Sequence, residues 1–458
     1  MARTIDLSTV EASGKRKWIY SIVSKGLWYR RRRWVAYALI IWLVALPWTQ
    51  WNGRQTLLFD FYHRKFQIFG WTFFANESSV FLGFVLLFIA SILILTALFG
   101  RVFCGWACPQ TVFMEFVFRP IEQWLEGKGL SQKRWNEQEY SKKLPRKLIK
   151  YFLFFSVSMI LSNTFIAYLF GSQHLIKMVQ EGPLANASIF FGTLFVAILI
   201  NFQFAWFREQ VCAFVCPYGR LQSILLDRHS VIVAYDSKRG EPRGKLGQTT
   251  GDCIDCHKCV QVCPTGIDIR EGLQLECIHC AQCIDTCDEV MTKIHKPIGL
   301  IGYNTQAALA QKPKVIFRPR LLIYGLVFFI GAFLMGTFGM ARKSIEASLH
   351  REAGRNLFER VGDDEIINNF KINVQNRSEN PQSLSWKLIE PQSAELILPE
   401  GNIVLNPEEK RSVQLLVKMK TKNFHSGDGS IPLRISVSVD SDNQVELKSK
   451  LFGYESDD

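Results

Sequence analysis

Apolar residues in this chain are bunched into five runs, each near the ~20 residues that a helix needs to cross a bilayer. They are Trp34–Trp51, Val80–Phe99, Tyr151–Phe170, Ala187–Phe207 and Leu321–Met340. The first is the shortest and holds Pro47, which can end or bend a helix near the far interface. It does not read as a cleaved leader, because the run is long and no small-residue cleavage site follows it. Beyond Asn368 the period changes from helical to two. Phe370–Val374, Ala394–Leu398, Val413–Val417 and Leu433–Val439 alternate apolar and polar residues as half-buried strands do. Polar turn clusters such as Asn376–Pro381 and His425–Ser430 separate them. About seven short strands over about ninety residues predict an all-β immunoglobulin-like sandwich. The Cys and Trp spacing of antibody domains is absent, so only the architecture is expected. Ala341–Arg360 reads as a charged helical continuation of the last span. His425, alone in a turn, reads as an exposed histidine rather than a metal ligand.

Charge orients the spans. The 458 residues carry a net charge of +13, which by itself suits a nucleic-acid binder. The basic residues sit at membrane borders instead. Nine precede the first run (Arg3, Lys15, Arg16, Lys17, Lys25 and Arg30 through Arg33), and ten lie between Arg101 and Lys150. The segment after the first run carries only Arg54, Arg64 and Lys65, and the one after the third only Lys177. Positive charge stays cytoplasmic. The N-terminus, the loop 101–150 and the insert between the fourth and fifth runs are therefore expected in the cytoplasm of a bacterium. Five spans then put residues after Met340 in the periplasm. The Arg30–Arg33 run reads first as a topology signal.

Within that insert lies the chemistry. Eight cysteines form Cys253-x2-Cys256-x2-Cys259-x3-Cys263-Pro264 and Cys277-x2-Cys280-x2-Cys283-x3-Cys287, the ligand run of a two-cluster bacterial ferredoxin. In such folds the fourth cysteine of each run serves the other cluster. One [4Fe-4S] is thus assigned to Cys253, Cys256, Cys259 and Cys287, and the second to Cys277, Cys280, Cys283 and Cys263. Zinc sites rarely need two such evenly spaced quartets. The second run ends in Asp288 rather than proline, which removes no ligand. His257 and His279, set between cluster cysteines, are expected to tune potential or contact a partner.

Four cysteines remain. Cys104-Gly-Trp-Ala-Cys108-Pro109 follows the second run and Cys212-Ala-Phe-Val-Cys216-Pro217 follows the fourth, so 34–217 reads as two copies of a helix pair, each ending in a dithiol. Spacing i,i+4 puts two sulfurs on one helix face, and the proline ends the turn at the second cysteine. Four converging thiolates favour Cu(I), an iron-sulfur cluster or zinc, or cycle between dithiol and disulfide. Met114 and Met159 read as packing, and the tryptophans Trp34, Trp48, Trp51, Trp71 and Trp206 as an interfacial belt. No dinucleotide fingerprint, P-loop or haem-attachment motif is present, so electrons must come from another protein or from quinol. All 12 cysteines fall on the expected cytoplasmic side or its border, where a reducing compartment protects thiols and clusters.

The stretch Arg101-Val-Phe-Cys104-Gly-Trp-Ala-Cys108-Pro-Gln-Thr-Val, followed by the two ferredoxin runs, a last span and a β tail, resembles the cytochrome c oxidase accessory proteins called CcoG, FixG or RdxA. The similarity covers nearly the whole chain. It implies a bacterial inner-membrane iron-sulfur oxidoreductase that reduces Cu(II) to Cu(I) for assembly of a cbb-type oxidase. It also implies a copper site at Cys104, Cys108, Cys212 and Cys216, and oxidase assembly factors and a copper transporter or chaperone as partners. The expected layout is a basic tail (1–33), a four-helix membrane domain (34–220), a ferredoxin-like domain (221–319), a fifth span (320–340), and a linker helix with an immunoglobulin-like domain (341–458). Two alternatives stand beside it: an electron-transfer subunit of a quinol-linked respiratory pathway, and a non-enzymatic assembly scaffold or copper chaperone.

Overall fold

The computed structural model describes residues 15–453 apart from 62–64, 75–77, 246, 248–250, 313–317, 341–343, 352–356, 363, 379, 399–402, 408, 425–429 and 440–443. Arg3, Arg64, His425 and Asp458 lie outside the described residues. The chain divides into two compact units, Met1–Gly336 and Thr337–Asp458.

In the first unit, helix α1 spans Leu27–Ala45. Helix α2 (Ser78–Phe99) leads into two short helices, α3 (Val102–Trp106) and α4 (Pro109–Phe113). Helix α5 covers Tyr140–Phe170, α6 Ala187–Phe202 and α7 Pro217–Leu225. The ferredoxin insert contributes α8 (Gln282–Lys293), and α9 (Pro319–Met340) is the last helix. Among the described residues, four segments are long and apolar enough to cross a membrane: Phe81–Phe99, Ser141–Phe170, Ala187–Phe207 and Pro319–Thr337.

The run expected at Trp34–Trp51 is not among them, and its boundaries are corrected. The helix starts at Leu27 and ends at Ala45. Pro47 then sits in a 3-10 turn, Leu46–Trp48, and Gln50–Trp51 pairs antiparallel with Arg54–Gln55. Proline lacks the N–H that would continue the helix. The earlier start has a tertiary cause described below. The 19 residues of α1 make a rod about 28 Å long. Its far end lies beside the far end of α5, where Tyr168 Oη donates to the Leu43 carbonyl at 2.6 Å. A three-stranded antiparallel sheet of β1 (Leu57–Asp60), β2 (Lys65–Ile68) and β3 (Trp71–Phe74) caps that end, and Gln55 Nε2 donates to Ala167 O at 3.0 Å.

At the opposite end, β4 (Ile232–Tyr235) and β5 (Ile301–Asn304) pair antiparallel and bracket the ferredoxin loops. Val231 N donates to Leu98 O at 3.0 Å, joining the insert to the end of α2. The loops pack around a core that includes Val233, Ile267, Ile269, Ile284, Met291 and Ile301 together with cluster-run cysteines.

The second unit is all-β, with nine strands among the described residues. These are β6 (Ile345–Arg351), β7 (Glu359–Val361), β8 (Glu365–Asn376), β9 (Gln382–Glu390), β10 (Glu395–Ile397), β11 (Ile403–Leu405), β12 (Lys410–Lys420), β13 (Ser430–Ser438) and β14 (Gln444–Phe452). One sheet runs β10-β12-β8-β6 with β7 also on β8, and the other runs β11-β9-β13-β14. All pairings are antiparallel. Period-two alternation supplies one shared core: Ile366, Phe370, Ile372 and Val374 on β8 face inward with Val413, Leu415 and Val417 on β12 and Leu433, Ile435 and Val437 on β13.

The helical continuation expected over Ala341–Arg360 is overturned for the residues described there. Ile345–Arg351 is a strand, paired with β8 from Ile345↔Asn376 to Arg351↔Phe370. Ile345, Ala347 and Leu349 pack on the core, so their two-residue period fits a sheet face. The neighbouring edge of β8 supplies the hydrogen bonds that an isolated helix would have made internally.

Phe370 is 1% exposed at the centre of this core. Phe370→Ala is expected to cost about 3–5 kcal/mol. Differential scanning calorimetry of the detergent-solubilised chain should show a lowered β-unit transition with iron content unchanged.

Candidate functional site

The two cysteine runs fold by one local rule. Asp255 and His257 flank Cys256 with φ of +54° and +52°, and His279 and Ala281 flank Cys280 with φ of +53° and +63°. Left-handed residues at matching positions turn the chain twice within each run, so that successive thiols face inward. Each run then enters a helix, Lys258–Gln261 or α8. Arg270, its side chain only 3% exposed, ties the first loop down through ion pairs to Asp268 and Asp255, each at 2.5 Å.

Two cavities result. Cys263, Cys277, Cys280 and Cys283 line one, and Cys253, Cys256 and Cys287 line the other, with Cys259 on both walls. Burial pushes the Cys259, Cys277, Cys280 and Cys287 thiols up to about 12, and the Cys283 thiol well above its ordinary value. Such groups carry thiolate charge only beside a cation, which bound iron provides. Among the described residues, no three His, Cys, Asp or Glu side chains are grouped to hold a single metal ion. Thiols ringing a cavity without closing on one point suit a polynuclear core, whose ligands sit on separate irons, better than one tetrahedral zinc. The residues present therefore fit iron-sulfur clusters.

The membrane dithiols share a second local rule. Cys108 and Cys216 are both extended (φ −63°, ψ 124° and φ −68°, ψ 110°) and each precedes a proline that opens the next helix, α4 or α7. A proline suits the first helical turn, where its missing N–H has no partner to lose. Cys104 lies in α3 and Cys212 in a single π-turn, Val211–Val215. The four thiols lie within one another's electrostatic reach. Burial pushes Cys212 up to about 12, followed by the effects of Cys108, Cys104 and Cys216. Burial likewise raises Cys104 to about 11, with Cys108 and Cys216 adding to it. Cys104 Sγ contacts Gln222 Oε1 at 3.4 Å. Cys212 shares a cavity with Glu209 and with Pro264, Thr265 and Ile278 of the insert.

Side chains that sequence reasoning passed over hold the insert against the helices. Asp285, between Cys283 and Cys287, accepts the Trp28 and Tyr29 amides at 2.9 and 2.8 Å and the Ser24 hydroxyl at 3.2 Å. It thereby satisfies two of the unpaired N–H groups at the start of α1. Gln282 donates to Glu115 at 3.0 Å, and Glu115 is also paired with Arg119 and, at 3.5 Å, with Arg32. Arg32, expected as part of a topology signal, is fully buried and donates to the Gly105 carbonyl. His279 is fully buried, its Nδ1 accepting the Arg101 amide at 3.1 Å. Trp106 Nε1 donates to Tyr303 Oη at 3.1 Å, which donates to His279 O at 2.8 Å. His257 differs: it is half-exposed and paired with Asp255 at 3.3 Å. Met114 packs with Phe113, Phe118, Phe154 and Phe204. The only signal for the Asp285 contact was a carboxylate inside a cysteine run, which points nowhere by itself.

Comparison with known proteins bears on the same regions. Residues 207–306 match a 4Fe-4S dicluster domain model, residues 81–135 a 4Fe-4S binding domain model, and residues 335–453 a model described as an IG-like fold at the C-terminus of FixG, putative oxidoreductase. The chain is 34% identical to Protein RdxA of Cereibacter sphaeroides, over 76% of this chain and 78% of that protein. It is 32% identical to Protein RdxB of the same organism, over 81% and 82%. It is 29% identical to the nitrogen fixation protein FixG of Rhizobium meliloti, over 70% and 71%.

Removing the Asp285 carboxylate should loosen the start of α1. Asp285→Ala is expected to cost about 1–2 kcal/mol, read as faster hydrogen exchange at the Trp28 and Tyr29 amides. Unchanged exchange would mean that water replaces the cap without cost.

Proposed function

Since the chain belongs to the FixG/RdxA family of iron-sulfur electron-transfer proteins, we propose that it reduces Cu(II) to Cu(I) at the membrane thiols for maturation of a cbb-type haem-copper oxidase. The observation that carries this reading is that both dithiols lie against the ferredoxin insert, Gly105 of the first packing on the Ile278–Cys280 loop and Cys212 of the second lining a cavity with Thr265 and Ile278. Thiols favour Cu(I) over Cu(II), so they hold the substrate better after reduction than before it.

One iron-sulfur cluster is held by Cys253, Cys256, Cys259 and Cys287 and the other by Cys263, Cys277, Cys280 and Cys283. When bound, each supplies a one-electron carrier. Cys256 is exposed and gives a soluble donor access to the first set. Buried Arg101 and His279, with half-buried Tyr303, fix the second set against the first dithiol. Copper is the substrate; the four thiols do not converge on one point, so in this reading the two pairs take it in turn.

The helices support five crossings. α1 runs the length of the bundle, its start beside the insert and Leu43 beside Tyr168. It falls short on apolarity because Arg30–Arg33 occupy its first turns, at the insert's end. With five crossings and the basic segments kept inside, this reading has the N-terminus and insert in the cytoplasm at a bacterial inner membrane and the C-terminal β unit, an immunoglobulin-like sandwich, in the periplasm. Oxidase assembly factors and a copper transporter or chaperone are the partners this reading requires.

Four outcomes test it. Anaerobically purified protein should hold about eight irons in the insert, two cubanes of four; zinc instead of iron would sink the assignment. Cys108→Ser with Cys216→Ser should keep both clusters while Cu(I) formation, followed with a Cu(I)-specific chelator, falls sharply. Cys256→Ser should remove a cubane and block reduction at its first step. Copper reduction at the wild-type rate in the double variant would relocate the site away from these thiols. A periplasm-active reporter should report when fused after Asp458 and stay silent when fused near Gly240; the reverse pattern would invert the topology.

A further inference from the structure

The two dithiol motifs are alike in sequence but not in what they touch. The residue after the first cysteine is Gly105 in one motif and Ala213 in the other. Gly105 is buried with its backbone against the insert. A Cβ there would overlap the Ile278 carbonyl oxygen and stand 3.1 Å from the Cys280 amide nitrogen. No residue other than glycine allows α3 to lie this close to the ligand loop. The contact is fastened on both sides, by the Arg101 amide on His279 Nδ1 at 3.1 Å and by Trp106 on Tyr303 at 3.1 Å. In the second motif Phe214 and Val215 are 40% and 60% exposed, and Cys212 reaches Ile278 only across a cavity.

The cysteine sets differ as well. Ile278 and Cys280 belong to the loop that serves Cys263, Cys277, Cys280 and Cys283. Cys277 and Cys280 are buried there, whereas Cys256 of the other set is exposed.

We propose that the Gly105–Ile278 backbone junction makes the first dithiol, Cys104 and Cys108, the place where bound Cu(II) takes its electron from the Cys263/Cys277/Cys280/Cys283 set. The Cys256 side is then the receiving end, and Cys212 and Cys216 act after the first pair. This order rests on the copper-reduction reading above. The balance is one electron per copper: Cu(II) becomes Cu(I), the electron coming from the one-electron carrier that Cys263, Cys277, Cys280 and Cys283 would hold, and the thiol protons leave to solvent when copper binds. Gly105 is a positioning residue, because it acts through the closeness it permits.

The test uses the full-length chain, reduced with dithionite under anaerobic conditions and mixed in a stopped flow with either Cu(II) or ferricyanide. Gly105→Ala should keep its iron content and paramagnetic resonance signals. Its reoxidation by Cu(II) should slow several-fold, because electron transfer weakens exponentially as donor and acceptor are pushed apart, while reoxidation by ferricyanide from the exposed side stays at the wild-type rate. Hydrogen exchange at the Arg101 and Cys280 amides, which needs no turnover, should quicken in the same variant. Ala213→Gly, the exchange in the other motif, should leave the ratio of the two rates unchanged.

Equal slowing with both oxidants, or no slowing with Cu(II), overturns the proposal. Should Gly105→Ala lose iron, the dithiol pairs decide the order. Cys104→Ser with Cys108→Ser should slow Cu(II)-driven reoxidation more than Cys212→Ser with Cys216→Ser does, and the reverse ranking overturns it. A wild-type chain that forms no Cu(I) at all defeats the copper reading alone. A membrane quinone then replaces Cu(II) as oxidant, and the same Gly105→Ala ratio is read.

Discussion

The molecule turns on one carboxylate. Asp285 sits on the ferredoxin helix between two cluster cysteines and caps the first helix through the Trp28 and Tyr29 amides. The pairing explains why α1 begins at Leu27, before its apolar run. Helix starts carry orphan N–H groups and partial positive charge, and a carboxylate from another element answers both. Gly26 is required by the same contact: a Cβ there would overlap the Asp285 side chain. The helix that carries cluster ligands is thus registered against the membrane bundle.

A second layer of buried charge extends this registration. Glu115 collects Arg32, Arg119 and Gln282, while Glu122 collects Arg208 at 2.9 Å and Lys150 at 3.5 Å. Burial pushes the Glu122 carboxyl up, but Arg208 and Lys150 more than offset it and hold it below the usual carboxylate range. Buried ion pairs add little net stability against an apolar replacement, yet removing one partner costs about 3–5 kcal/mol. These pairs tie α1, the segment after α4 and the insert together at the end of the bundle where α3 meets the Ile278–Cys280 loop. Four thiols and two cysteine sets then share one rigid end of the protein. The β unit keeps its own core, built by alternation alone.

Much of this was legible in order along the chain. The eight-cysteine run marks its sets because ligand spacing is a property of consecutive residues. Apolar runs at 80–99, 151–170, 187–207 and 321–340 mark helices, and alternation at 370–374, 413–417 and 433–439 marks strands, because periodicity is likewise local. Pro109 and Pro217 mark the turn ending at Cys108 and Cys216 for the same reason, and the structure adds that each proline opens the next helix. Two local readings failed where a distant partner intervened. The alternation of Ile345, Ala347 and Leu349 was masked by flanking charge until β8 offered an edge, and the start of α1 was set by a residue more than 250 positions away.

The sequence by itself determined which residues can ligate iron, which segments are apolar enough for a membrane, and where the chain must turn. Those properties depend on neighbours in the chain and on side-chain type. Packing alone decided that Arg32 of the basic run is buried, that His279 faces the Arg101 amide while His257 stays half-exposed, and that Gly105 rather than Ala213 meets the cluster loop. Each depends on a contact between residues far apart in sequence. Burial, close approach and cap geometry are set by how elements pack, and no local pattern carries them.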